Sequence, residues 1–96
     1  MFTIYVTFKC YEGKREAFVQ RVKDEGILDE IRREDGCSLY EYFYSDEKEN
    51  EILLIEAWES EEHQKAHLKT SHMDKLRQFK GDYIYDTAIG EFVFKK

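Results

Sequence analysis

The sequence predicts an α+β sandwich, in which one four-stranded antiparallel sheet carries helices, and three observations predict it. From Phe2 to Phe8 apolar and polar residues alternate strictly, the period of a half-buried strand. At Lys14 the period changes to that of an amphipathic helix, with Phe18, Val22, Leu28 and Ile31 forming an apolar stripe among charges. Two further strand-like runs, Cys37–Tyr44 and Glu51–Trp58, are joined only by the polar segment Ser45–Asn50, the connection of an antiparallel hairpin.

Each element follows from local chemistry. In the first strand Phe2, Ile4, Val6 and Phe8 share one face, and Thr3, Tyr5 and Thr7 the other. Tyr11-Glu12-Gly13 reads as a turn. Gly26 kinks or briefly ends the helix that starts at Lys14, since glycine costs about 1 kcal/mol in a helix interior, and Asp35-Gly36 stops it. In the second strand Leu39 and Phe43 flank Glu41 on one face, while Tyr40, Tyr42 and Tyr44 line the other. In the third, Leu53, Ile55 and Ala57 occupy one face and Ile52, Leu54 and Trp58 the other, so this strand is expected to be covered on both sides. Ser60 is an N-cap for a helix through Lys69. Thr70-Ser71 interrupts that helix, and Ser71-His72-Met73-Asp74 matches the capping pattern of a second, whose buried side is Met73, Leu76 and Phe79. Gly81-Asp82 ends it, and Tyr83 to Phe94 is the last strand, with a bulge expected at Gly90. The order βα-ββ-αβ is that of a ferredoxin-like sandwich. With no linker, repeat or proline, residues 1–96 are expected to form one domain.

Composition adds a constraint. Seven Phe, seven Tyr and one Trp in 96 residues are a heavy aromatic load. Each ring buries about 150–250 Å², more than one thin core layer accommodates. The helices cover one sheet face, and Tyr40, Tyr42 and Tyr44, with Ile52, Leu54 and Trp58, are expected on the other. A second copy stacked sheet to sheet would bury that row, so a homodimer is expected. Against 15 Lys+Arg stand 21 Asp+Glu, a net charge of −6, so nothing supplies the basic footprint that nucleic acid requires. No apolar run approaches the roughly 20 residues of a membrane helix, and no basic-then-apolar leader precedes the first strand. Cys10 and Cys37 have neither zinc spacing nor the numbers for a disulfide framework, and are expected as reduced thiols of a cytoplasmic protein.

The candidate chemistry is concentrated in one stretch that contains His63, His67 and His72. His63 and His67 stand at i, i+4, the spacing at which two imidazoles share a metal, but Gln64 occupies the position where a metalloprotease helix needs glutamate. No resident metal is expected, only adventitious binding by an exposed pair. His72 falls at the start of a helix, where a neutral imidazole can polarise a carbonyl or accept a proton. Trp58 ends a strand just before Ser60 and is positioned to wall a pocket, and a phenol of the tyrosine row can hydrogen-bond a ligand. No glycine-rich phosphate loop, G-x-S-x-G or dinucleotide fingerprint occurs, so no cofactor is expected.

Ile55-Glu56-Ala57-Trp58-Glu59-Ser60, followed by Ala66-His67 and Thr70-Ser71-His72-Met73, resembles the signature of the antibiotic biosynthesis monooxygenase domain family. Asp35-Gly36-Cys37 with Tyr40-Glu41 resembles that family's Pro-Gly-Cys entry into its second strand, with Asp in place of Pro. The resemblance implies a ferredoxin-like fold that dimerises through its sheets into an α/β barrel. It implies a cofactor-independent monooxygenase acting on a small quinol or polycyclic phenol: a base deprotonates the substrate, and the anion passes an electron to O2. His67 and His72 match the family's histidines and are the expected acid–base residues, with Trp58, Tyr42 and Tyr40 binding substrate. Haem-degrading members use an asparagine on the first strand, where this chain has Thr3, Tyr5 and Thr7. Two alternatives accompany this reading. One is isomerisation of a phosphorylated dicarbonyl of the autoinducer-2 kind, with Lys65, Lys69 and Arg32 or Arg33 meeting the phosphate. The other is a non-catalytic dimeric ligand-binding module.

Overall fold

The first strand, β1 (Phe2–Cys10), runs along the centre of the sheet in a computed structural model that describes residues 1–93. After the Gly13 turn come α1 (Arg15–Asp24) and α2 (Ile27–Arg32). They are two helices because Gly26 sits at φ +75°, a left-handed conformation that side-chain-bearing residues avoid. The hairpin β2 (Cys37–Tyr44) and β3 (Glu51–Trp58) follows, then α3 (Glu61–His67), α4 (Ser71–Lys80) and β4 (Ile84–Glu91). The sheet order is β2-β3-β1-β4, with every neighbouring pair antiparallel. This is the α+β, ferredoxin-like arrangement that the element order predicts.

Local details differ at three points. Ser60 caps α3 as expected, but α4 is capped by Thr70, whose side chain accepts from the Met73 N–H, and Ser71 is already helical. The last strand is shorter than Tyr83 to Phe94, and Phe94 lies outside the described residues. Gly90 is no bulge: it pairs in register with Tyr5, and the Tyr5 ring lies where a Cβ would be. The irregularity falls instead between Lys9 and Cys10, opposite Ile84.

The largest correction concerns the tyrosine row. Tyr40 pairs with Glu56 and Glu56 with Ile4; Tyr42 pairs with Leu54 and Leu54 with Val6; Tyr44 pairs with Ile52 and Ile52 with Phe8. Residues opposite one another share a face, so these tyrosines, Ile52, Leu54 and Trp58 all point toward the helices. Tyr40, Ile52, Leu54 and Trp58 are buried within one chain, with Phe18 at the centre of an aromatic cluster formed by Phe8, Tyr42, Phe79 and Tyr83. The uncovered face carries the other parity, Leu39–Ala57–Thr3, Glu41–Ile55–Tyr5 and Phe43–Leu53–Thr7. Leu39 and Phe43 are 39% and 41% exposed. Most of the aromatic surplus therefore fills the interior under the helices, and the face available to a second copy mixes Leu39, Phe43, Leu53 and Ile55 with Tyr5, stacked on Phe92, and with Thr3, Thr7 and Glu41. Among the described residues no helix is long and apolar enough to cross a membrane.

Candidate active site

A cavity of about 160 Å³ lies between the sheet and the helices and opens beside β4. Val6 and Leu54 from the sheet and Met73 and Leu76 from α4 form its apolar walls. Its polar groups inside the mouth are the Tyr40 and Tyr42 phenols, the Glu56 carboxyl, the His67 imidazole and the Gln64 amide. Leu68, Arg77, Lys80, Thr87 and Ile89 rim the opening.

His67 is the last residue of α3 and is 1% exposed. The α3 helix is capped tightly at both ends: Ser60 Oγ accepts the His63 N–H, and Thr70 Oγ1 donates to the His67 carbonyl at 2.8 Å. The ring stacks on Trp58 (centroids 4.7 Å apart) and meets Tyr40 edge to face at 5.6 Å. Its Nδ1 lies 2.8 Å from Glu34 Oε2. Burial pushes its pKa below the ordinary histidine value, and the Glu34 carboxylate works in the opposite direction. A buried, neutral ring held by a carboxylate at one nitrogen and bordering a cavity is the arrangement of a general base.

Glu56 is the second titratable group of the cavity. Burial raises its carboxyl from 4.5 to about 6, against the Trp58 Nε1–H, which donates to Oε1 at 3.0 Å, and with help from the negative charge of Glu34. Tyr40 and Tyr42, whose rings meet edge to face at 5.9 Å, are both pushed far above the ordinary phenol value, first of all by burial, so they are hydrogen-bonding groups here and not acids.

The remaining sequence candidates distribute as follows. Tyr40 and Tyr42 line the cavity; Trp58 does not, and stands behind His67 and Glu56 as their support. His72 is on α4 outside the cavity, in a surface depression with Glu30 and Lys75, and reaches His67 only through Glu34: its Nε2 is 2.7 Å from the same Glu34 Oε2. His63 and His67 do not form an exposed pair. His63 turns to Ser60, Asp35 and Glu59, whereas His67 is buried. None of the cations suggested for a phosphate, Lys65, Lys69, Arg32 and Arg33, lines the cavity. Arg32 donates to the Tyr40 carbonyl, Arg33 to the Asp29 carbonyl, and Lys65 pairs with Glu61, while Arg77 and Lys80, not among those suggested, stand at the cavity mouth. Cys10 is buried and Cys37 half-buried, both as free thiols.

Two residues escaped the sequence reading. Glu56 had a signal, as a lone carboxylate between Leu54 and Trp58 in an inward-facing apolar row. Glu34 had none, because its partners lie more than thirty positions away along the chain. Among the described residues two groups are close enough to be tested as metal sites, Glu34 with His67 and His72, and Asp35 with Glu59 and His63. In the first, Oε2 lies 2.7–2.8 Å from each imidazole nitrogen. These are hydrogen-bond separations; two ligands about 2.1 Å from a common zinc ion stand about 3.0–3.4 Å apart. The second group is built on the exposed side chains of Asp35 and Glu59.

The family model for antibiotic biosynthesis monooxygenases matches residues 1–78, which include Glu34, Tyr40, Tyr42, Glu56, Trp58, His67 and His72. The chain belongs to the antibiotic biosynthesis monooxygenase family. Solved structures agree with this assignment in fold. The Pseudomonas aeruginosa protein PA3566 superposes with a TM-score of 0.85 at 18% identity, over 99% of this chain and 94% of that one. Rv0793 from Mycobacterium tuberculosis gives 0.80 at 22% identity, over 99% and 95%. A structure described as an antibiotic biosynthesis monooxygenase gives 0.85 at 14% identity, with both chains covered completely. At these identities the likeness fixes the fold alone. No curated protein matches the sequence at a significant level.

Proposed function

We propose that this family member is a cofactor-independent monooxygenase of one-ring quinols or phenols, working as a homodimer. The observation that carries the proposal is His67, neutral and buried, at the wall of a largely apolar cavity that Tyr40, Tyr42, Glu56 and Gln64 also line. A volume of about 160 Å³ matches the roughly 150 Å³ cavity known to hold benzene in an engineered protein. A single six-membered ring therefore fits, whereas a polycyclic phenol would require the walls to part. His67 takes the phenolic proton, and the electron-rich anion reacts with O2. One oxygen atom enters the ring and the other leaves as water, so a quinol plus O2 becomes a hydroxyquinone plus water and the substrate supplies the electrons. Glu56, with a pKa of about 6, is suited to return a proton to the departing oxygen. Water exclusion and orientation come from the apolar walls and the phenols of Tyr40 and Tyr42.

Dimerisation through the uncovered sheet face is part of the same reading. Leu39, Phe43, Leu53 and Ile55, with Glu41 between the first two, give this face apolar surface of the kind that a second copy buries. The test of activity is oxygen uptake with a panel of one-ring quinols in chelator-treated buffer. Uptake and product formation are expected, with a loss of at least a hundredfold in His67→Ala. Turnover no greater than that of His67→Ala would refute the proposal.

Arg77 and Lys80 at the cavity mouth favour one second reading, isomerisation of a small phosphorylated dicarbonyl. That reaction proceeds equally well without oxygen, so product analysis under anaerobic conditions separates the two.

A further inference from the structure

A chain of contacts leads from the cavity to solvent. His67 Nδ1 is 2.8 Å from Glu34 Oε2, Glu34 Oε2 is 2.7 Å from His72 Nε2, and His72 Nδ1 is 3.0 Å from Glu30 Oε2. Exposure rises along it: the His67 side chain is 1% exposed, those of Glu34 and His72 12% and 13%, and that of Glu30 55%. The four residues come from α2, the turn that follows it, α3 and α4. An ionised carboxylate only accepts hydrogen bonds, so both rings present N–H to Glu34. The His72 Nδ1–Glu30 contact is an ion pair when His72 is protonated, so one imidazolium in the cluster is met by two carboxylates. A second imidazolium would place two cations on rings that meet at a single carboxylate oxygen.

We propose that Glu34 couples His67 to His72 so that the pair carries one imidazolium charge between them. A proton arriving at His67 Nε2 from the cavity is matched by one leaving His72 Nδ1 through Glu30 to solvent. Glu34 accepts N–H from both rings before and after, no proton crosses it, and the net charge of the enclosed cluster is unchanged. When His67 returns its proton, His72 regains one. This deepens the monooxygenase reading and rests on it for its use in turnover, but the coupling itself is a property of the free protein. Glu34 and His72 are positioning residues: the first fixes the His67 ring with Nε2 toward the cavity, and the second offsets its charge. The other titratable or charged groups facing the cluster are Arg77, Tyr40, Glu56 and Cys37 around His67 and Glu34, and Glu25 and Lys75 beside His72.

The test is a pH titration of the 15N-labelled imidazoles by NMR, in the full-length protein without substrate. In the wild type, His67 is expected as the Nδ1–H tautomer, with both rings responding in each of two titration steps. In Glu34→Gln each ring is expected to titrate once and independently, while His63, held by Ser60 and Asp35, stays unchanged and reports that the fold is intact. If Glu34→Gln does not fold, Glu30→Gln at the exposed end serves instead, and a shift of the His72 step that drags the His67 step with it supports the coupling. An Nε2–H tautomer of His67, or steps that are independent in the wild type, would overturn it. So would saturable zinc binding by the wild type that Glu34→Gln abolishes, because the cluster would then be a metal site. With a one-ring quinol, kcat in Glu34→Gln is expected to fall at least tenfold, with a displaced acid limb. Oxygen uptake that fails while the NMR coupling persists refutes the catalytic reading alone.

Discussion

Replacing Glu56 by Gln should stabilise the protein, and by an amount that depends on pH. Burial lifts the carboxyl from 4.5 to about 6. At roughly 1.4 kcal/mol per pH unit, this makes the ionised form about 2 kcal/mol less comfortable in the folded chain than in the unfolded one. The sign follows from proton counting. Between pH 4.5 and 6 the folded state binds more protons than the unfolded state, so the Glu56 contribution is fully present below 4.5 and lost as the pH rises through 6. A glutamine keeps an oxygen to accept from Trp58 Nε1 and never ionises. Urea unfolding at fixed protein concentration should therefore show Glu56→Gln more stable by about 2 kcal/mol at pH 7.5, the gap closing to a few tenths of a kcal/mol near pH 4.5. The buried histidine titrates in both proteins and cancels in the difference. A pH-independent gap, or a loss of stability at pH 7.5, would refute the burial argument. With the proton donor of the proposed reaction removed, the variant should also lose turnover.

Three further outcomes follow from the same contacts. Burial lowers the His67 pKa, so the acid limb of kcat/KM should fall below the ordinary histidine value of 6.5, and a pH–rate profile with its limb at or above 6.5 would contradict the environment assigned to the ring. Phe43→Glu puts a charge among the apolar residues of the uncovered face, on its edge strand β2; sedimentation should report a dimer for the wild type and a monomer for the variant, with an unchanged circular dichroism spectrum. Gly36 sits at φ +81° with the His63 ring 2.5 Å from where a Cβ would stand, so Gly36→Ala should cost at least about 1–2 kcal/mol in urea unfolding and release His63 from Ser60.

The alternation in β1, the stripe of Phe18, Val22, Leu28 and Ile31, and the cap at Ser60 are properties of neighbouring residues, and they specify the elements and their order without reference to the rest of the chain. The family signature is likewise a local string, and it led to His67 and Trp58. The faces were harder. The parity of β2 relative to β1 is set by cross-strand register, and because β3 is apolar on both sides it gives no local reason to prefer one assignment. That is why the tyrosine row was expected outside and lies inside. Similarly, His63 and His67 look equivalent at i, i+4, yet the Glu34 contact and the Trp58 stack take only His67 into the interior.

By itself, then, the sequence determined the strands, the helices, the family and the histidine-bearing segment, because those are written in short-range periodicity and caps. The tertiary structure alone decided that Glu56 borders the cavity as an acid of pKa about 6, that His72 stays outside it, and that Glu34 joins the two histidines. Each of those outcomes is a matter of burial and of contacts between residues distant in the chain. Charge in a folded protein responds to what surrounds it in space, and no run of neighbouring letters encodes that.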